Sequence, residues 1–118
     1  MKEESRKILS LPDLPVFPTA VRIPVHTGHS ESVYVETERE ATLPEVLEAF
    51  GAAPGVSFSG DAASFPTPLE AASDPGVCVG RVRVQEGAVE YWCVADNLLK
   101  GAATNAIQIA ESLVSVRV

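Results

Sequence analysis

Val77-Cys78-Val79-Gly80-Arg81-Val82-Arg83-Val84-Gln85-Glu86-Gly87-Ala88-Val89-Glu90-Tyr91-Trp92-Cys93-Val94-Ala95 reads as two extended runs, 77–84 and 88–95, joined across Gln85-Glu86-Gly87. Two such runs separated by so short a Gly-containing link form an antiparallel hairpin. The hairpin makes a sheet the centre of the fold, and the flanking sequence supplies the remaining elements.

Downstream, Asp96 or Asn97 is placed to cap a final helix running to about Val114. Leu98, Leu99, Ala102, Ala103, Ala106, Ile107, Ile109, Ala110, Leu113 and Val114 cover more than one stripe of it. A helix apolar around most of its girth is expected to lie between two surfaces. One would be this chain's own sheet, the other a partner subunit or polypeptide outside the chain. Gly101-Ala102-Ala103 leaves room for another backbone or a ligand close to its start.

Upstream, 61–75 is a loop punctuated by Pro66 and Pro68, and 56–59 is a short strand. Thr42-Leu43-Pro44-Glu45 has the form of a capping box with proline in the first turn. A helix therefore starts there, with Val46, Leu47 and Phe50 as its apolar face, and Pro54-Gly55 ends it. Residues 30–38 alternate as a strand, and 19–25 alternate likewise, with Val21, Ile23 and Val25 on one face. Residues 3–10 read as a helix stopped by Pro12. The sum is an α+β domain with a mainly antiparallel sheet and helices packed on one face.

The 118 residues fit one domain, with 46% hydrophobic and 21% charged residues. The net charge of -7 and the absence of a basic stripe argue against a nucleic-acid partner. No apolar run approaches the roughly 20 residues needed to cross a bilayer. The charged start, Met1-Lys2-Glu3-Glu4, lacks the apolar stretch of a signal peptide, so a cytoplasmic location is expected. Cys78 and Cys93 sit in apolar strand-like runs and read as buried free thiols. Two cysteines and two histidines at these separations do not make a zinc site, and no metal is expected.

Chemistry-bearing residue types concentrate in Arg22-Ile23-Pro24-Val25-His26-Thr27-Gly28-His29-Ser30-Glu31-Ser32. Arg22 is a lone charge in an apolar run. Its guanidinium suits a bidentate carboxylate or phosphate, or a structural ion pair with Glu31 or Glu36. His29 has the side chain best suited to proton transfer near neutral pH, but by residue type alone it also suits a structural place, as does His26. Along a straight strand Arg22 and His29 would stand about 23 Å apart. They can share a small ligand only if the chain turns between them, which Gly28 permits. Asn97 offers an amide at a helix start, where a plain N-cap is the simpler role.

These stretches resemble the aspartate-semialdehyde dehydrogenase family. The resemblance rests on Glu4-Ser5-Arg6-Lys7-Ile8, Val21-Arg22-Ile23-Pro24-Val25, Gly28-His29-Ser30-Glu31-Ser32-Val33, Phe65-Pro66-Thr67-Pro68-Leu69 and Ala95-Asp96-Asn97-Leu98-Leu99-Lys100-Gly101-Ala102-Ala103, in that order. It implies a fold resembling part of the glyceraldehyde-3-phosphate-dehydrogenase-like C-terminal domain. It implies that Arg22 grips the substrate carboxylate, that His29 is the acid/base histidine, and that Asn97 contacts the nicotinamide end of NADP. The reaction it implies is the reversible NADP-dependent conversion of L-aspartyl phosphate to aspartate semialdehyde, serving lysine, methionine and threonine synthesis. Homodimers associating through this domain are implied as well.

The departures carry equal weight. No strand–Gly-rich-turn–helix unit occurs in 1–118, and neither Cys78 nor Cys93 lies where the family keeps its nucleophile. The resemblance thus implies that 1–118 is a partial C-terminal substrate-binding and dimerisation domain. The N-terminal NADP-binding domain is lacking, and the chain alone binds no cofactor and has no turnover. A free-standing dimerisation or regulatory module without catalysis is the alternative. A reductase of another acyl phosphate, such as N-acetylglutamyl phosphate, fits the His29-Ser30-Glu31-Ser32 and Ala95-Asp96-Asn97 stretches less well.

Overall fold

The computed structural model describes residues 1–61 and 63–115; Ala62, inside the expected 61–75 loop, and the last three residues of the expected 1–118 domain lie outside them. The elements run α1 (Lys2–Ile8), β1 (His29–Glu36), α2 (Leu43–Ala52), β2 (Val56–Phe58), β3 (Val77–Gln85) and β4 (Ala88–Ala95). A π-type turn, Leu99–Ala103, then leads into α3 (Thr104–Ser115). The four strands form one sheet in the order β1-β4-β3-β2, in which only β2 and β3 run parallel. The α+β class and the mainly antiparallel sheet agree with the sequence.

The hairpin is tighter than its spacing suggests. Gln85 pairs with Ala88, so the link is Glu86-Gly87 alone. Both residues are left-handed, φ 52° and 78°, the backbone of a primed two-residue turn that matches strand twist. Between Gly80 and Arg83 the β3 register slips, and Arg81, at φ 53°, sits in the resulting bulge. Gly80 is needed there for a different reason. A Cβ on it would stand 3.0 Å from Pro66 Cδ and 3.1 Å from the Ser64 carbonyl oxygen, so glycine admits the 64–66 loop onto the sheet.

Side chains alternate faces along each strand. In register, Glu31, Val33 and Val35 of β1 share a face with Cys93, Tyr91 and Val89 of β4. Helix α2 covers part of that face. Phe50 stacks on Phe58 with ring centroids 5.8 Å apart and meets Tyr91 edge-on at 5.1 Å. The Thr42 capping box forms as expected: Thr42 Oγ1 accepts from the Glu45 backbone N–H, and Glu45 Oε2 accepts from the Thr42 N–H at 2.8 Å. The 64–68 loop covers the opposite face, where the Trp92 indole N–H donates to the Pro66 carbonyl at 2.9 Å. Val79, Val82, Ala88, Val89 and Val94 are buried between these layers, with Ala71 beside them.

Four expectations change. Residues 19–25 form no strand. Val21, Ile23 and Val25 are exposed, Pro24 has no N–H to offer a neighbour, and β1 pairs only with β4 among the described strands. The strand expected at 30–38 runs from His29 to Glu36. The final helix is not continuous from Asp96, because Ala102 is non-helical at φ -137°, ψ -113°. Beyond that kink α3 packs on the turn that precedes it, and Ile107, Ile109, Leu113 and Val114 are exposed. The expectation that this helix lies between two surfaces is unmet within the chain: its apolar girth is laid bare.

Candidate functional site

The candidate residues gather where β4 ends and β1 begins. His29 opens β1 and pairs with Ala95, the last residue of β4. The next residue, Asp96, is 5% exposed and engaged on both oxygens: Ser73 N–H donates to Oδ2 and Leu98 N–H to Oδ1, each at 2.9 Å. These bonds, that from Ser73 foremost, hold its carboxyl below the ordinary aspartate range against the opposing effect of burial. Asp96 also accepts from Leu99 and Lys100 through its own carbonyl, at 3.1 and 2.9 Å. Asp96 therefore organises the turn that leads into the segment starting at Leu99.

Asn97 is free of that duty. Its Oδ1 accepts the Gly28 backbone N–H at 2.8 Å, across 69 residues of sequence. Gly28 is left-handed, φ 103°, and a Cβ there would stand 3.2 Å from Pro68 Cβ. The plain N-cap reading of Asn97 gives way to a contact that fastens the turn before His29.

The chain does turn between Arg22 and His29. It bends at Pro24, where Val25 N–H donates to the Ile23 carbonyl at 2.9 Å, again at His26-Thr27, and at Gly28. Arg22, His26 and His29 are all exposed, so none is sealed in a dry core. The ion pairs among the described residues are Met1–Glu4, Arg39–Glu45 and Arg83–Glu90, and the alternative of Arg22 paired with Glu31 or Glu36 is not realised. His29 and Asn97 are thus brought to one corner of the sheet. Arg22 lies on the irregular, exposed segment that precedes this corner, with its guanidinium unpaired among the described residues.

The sequence reading missed the supports of this corner. Thr67 and Glu70 repeat the Thr-x-x-Glu pattern of α2: Glu70 Oε2 accepts from the Thr67 N–H at 3.0 Å and the hydroxyl at 2.7 Å. The spacing was visible, but no apolar run follows to announce a helix, and only a turn forms. A cleft of about 330 Å³ lies on the loop-covered face, lined by Ser32, Phe65, Pro66, Arg81, Arg83 and Trp92 among others. Arg81 lies over the Phe65 ring, 5.9 Å from its centroid, and Arg83 is neutralised by Glu90 at 2.6 Å. Trp92 is half-buried, with its N–H spent on Pro66.

Both thiols are free but only half-buried, short of the burial expected from their apolar runs. Cys78 pairs in register with Val94 and Cys93 with Val79, so the two project from opposite faces and cannot form a disulfide. Burial, with Glu31 adding to it, pushes the Cys93 thiol up to about 11. Burial and Asp74 raise that of Cys78.

Residues 1–100 match the semialdehyde dehydrogenase dimerisation domain. The chain belongs to that family. It is 45% identical over 119 residues to the aspartate-semialdehyde dehydrogenase of Bacillus subtilis (strain 168), covering 96% of this chain and 34% of that protein. It is 46% identical to the enzyme of the same name from Aquifex aeolicus (strain VF5), covering 97% of this chain and 35% of that one. Among solved structures, aspartate semialdehyde dehydrogenase II from Vibrio cholerae, complexed with ASA, superposes with a TM-score of 0.82 at 43% identity. That match covers 95% of this chain and 34% of the other. A probable aspartate-semialdehyde dehydrogenase from Pseudomonas aeruginosa reaches a TM-score of 0.69 at 32% identity, over 80% of this chain and 29% of that one. The semialdehyde dehydrogenase domain described here therefore spans about a third of the length of the relatives it matches. Among its described residues no helix is long and apolar enough to cross a membrane.

Proposed function

We propose that this chain is the partial C-terminal substrate-binding and dimerisation portion of an aspartate-semialdehyde dehydrogenase, contributing half of the active site and no turnover of its own. The observation that carries the reading is the Gly28–Asn97 hydrogen bond, which puts His29 and Asn97 at one solvent-open corner of the sheet. In this reading Arg22 holds the substrate carboxylate, because a free guanidinium presents two parallel N–H donors to it. His29 takes up or releases a proton beside the reacting carbon, a task that suits an imidazole with one donor and one acceptor nitrogen. When bound, the cofactor would donate the hydride as NADPH in the reductive direction and accept it as NADP in the reverse. The residues present fit only its nicotinamide end: the Asn97 Nδ2 donor has no partner among the described residues and suits a carboxamide oxygen. No Gly-rich turn in 1–118 cradles the dinucleotide phosphates, so the chain alone is proposed to bind no cofactor. The parent reaction is the NADP-dependent reductive dephosphorylation of L-aspartyl phosphate. It needs a cysteine nucleophile from outside 1–118, and acid/base help from His29 does not replace it.

The test is a chimaera in which 1–118 replaces the matching stretch of the Bacillus subtilis relative. It is expected to oxidise aspartate semialdehyde with NADP and phosphate, while the isolated chain does not. His29→Asn in the chimaera lowers kcat by about 100-fold or more, and Arg22→Lys mainly raises KM, since one point charge replaces a fork. A folded, dimeric chimaera whose turnover ignores both substitutions refutes the assignment.

A second reading is an association module that keeps the fold without the chemistry. It is favoured by the dimerisation-domain match and by the exposed apolar residues of α3. Sedimentation of the isolated chain as a homodimer, or its co-assembly with a full-length relative that thereby loses activity, supports this. A monomer at high micromolar concentration that leaves the relative unaffected counts against it.

A further inference from the structure

We propose that Asn97 is a positioning residue for His29, a role that rests on the acid/base reading of that histidine but is carried by separate geometry. The Gly28 N–H has one acceptor among the described residues, the Asn97 side-chain oxygen at 2.8 Å. The bond closes a small circuit: Gly28 precedes His29, His29 pairs with Ala95, and Ala95 lies two residues before Asn97. Asp96, between them, is fixed on both carboxylate oxygens by Ser73 and Leu98, so the Asn97 backbone has little freedom. From the other side Pro68 closes on Gly28, and its loop is held down by the Trp92 indole on Pro66. The peptide before His29 is therefore clamped between an amide and a proline, leaving the exposed imidazole only its own side-chain rotations. Such a clamp fixes, before substrate arrives, the Cα position and Cα–Cβ direction from which the proton-transfer group extends.

The side chain can do this while keeping its other end free. Oδ1 accepts from Gly28, and Nδ2 remains a donor facing away from that bond. This separates two roles by substitution. Asn97→Asp keeps an acceptor for Gly28 and removes the donor. Asn97→Ala removes both.

The experiment is NMR on the isolated chain, which needs neither cofactor nor turnover. In the unsubstituted chain a scalar coupling across the hydrogen bond, between the Gly28 nitrogen and Asn97 Cγ, is expected. In Asn97→Ala the Gly28 amide exchanges about five- to tenfold faster, as loss of one net hydrogen bond requires. The His29 ring order parameter falls, and β1–β4 ladder amides such as Val33 and Tyr91 keep their protection. Asn97→Asp restores both Gly28 protection and ring order. Absence of the coupling overturns the proposal even where the alanine variant fails to fold. So does unchanged Gly28 exchange in a folded alanine variant, or a ring order parameter that ignores the loss of Gly28 protection. Because none of these readouts measures activity, they stand or fall apart from the turnover of the chimaera.

Discussion

The Ser73 backbone N–H donates to the Asp96 carboxylate at 2.9 Å, tying the end of the 61–75 loop to the end of β4 across 23 residues. Ser73 itself is left-handed, φ 70°, so a strained loop residue is held by a buried acid. The folded-state pKa of Asp96 is lowered from its ordinary 3.8 by hydrogen bonds from Ser73, then Leu98. A group depressed on folding stabilises fully above its unfolded value, and that contribution is lost as pH falls through the folded value. Thermal melts of the chain should therefore show the midpoint falling from about pH 5 downward. Asp96→Asn should lower the midpoint at pH 7 and flatten this acid limb. A variant with an unchanged limb would place the titration elsewhere.

Phe50 is where α2 gains its hold on the sheet. It stacks on Phe58 and meets Tyr91, while no residue of α2 is fully buried. Phe50→Ala should cost about 2 kcal/mol, below the 3–5 of a fully enclosed phenylalanine. Urea unfolding is the measurement, with a shifted midpoint and an unchanged slope. Phe50→Leu should recover about half by restoring apolar volume without the ring geometry.

Thr42 fixes where α2 begins. Thr42→Ala should cost about 1 kcal/mol in the same unfolding experiment, and Thr42→Ser much less, since the hydroxyl alone makes the cap. Equal losses in the two variants would mean that the methyl group, not the capping box, matters.

Cys93 should resist alkylation. With its thiol raised to about 11, almost no thiolate exists at pH 8. Iodoacetamide should label the native chain slowly and the urea-unfolded chain quickly at both cysteines, and oxidation should yield no intramolecular disulfide in the folded state. Rapid native labelling of Cys93 would show that the β1–β4 edge opens freely.

Much of the fold was legible because it is local. The α2 capping box, the β3–β4 hairpin and the strand after Gly28 each follow from residues within a few positions of one another, where propensity and turn chemistry act. The misreadings share the opposite cause. The alternation of 19–25 is genuine, yet alternation makes a strand only where a neighbour offers its N–H and C=O groups, and no described strand lies beside it. The apolar girth of 98–114 is equally genuine, yet it does not disclose the kink at Ala102.

The sequence by itself determined the sheet, its hairpin, the capped helix and the residue types able to bind an anion and move a proton, since all of these reside in short-range pattern. Only the tertiary structure decided that Asp96 and not Asn97 holds the turn before the last helical segment, and that Asn97 reaches across 69 residues to the turn before His29. An amide's partner is set by which backbone groups are left unpaired nearby once the strands have aligned, and that is a property of the folded arrangement rather than of spacing along the chain.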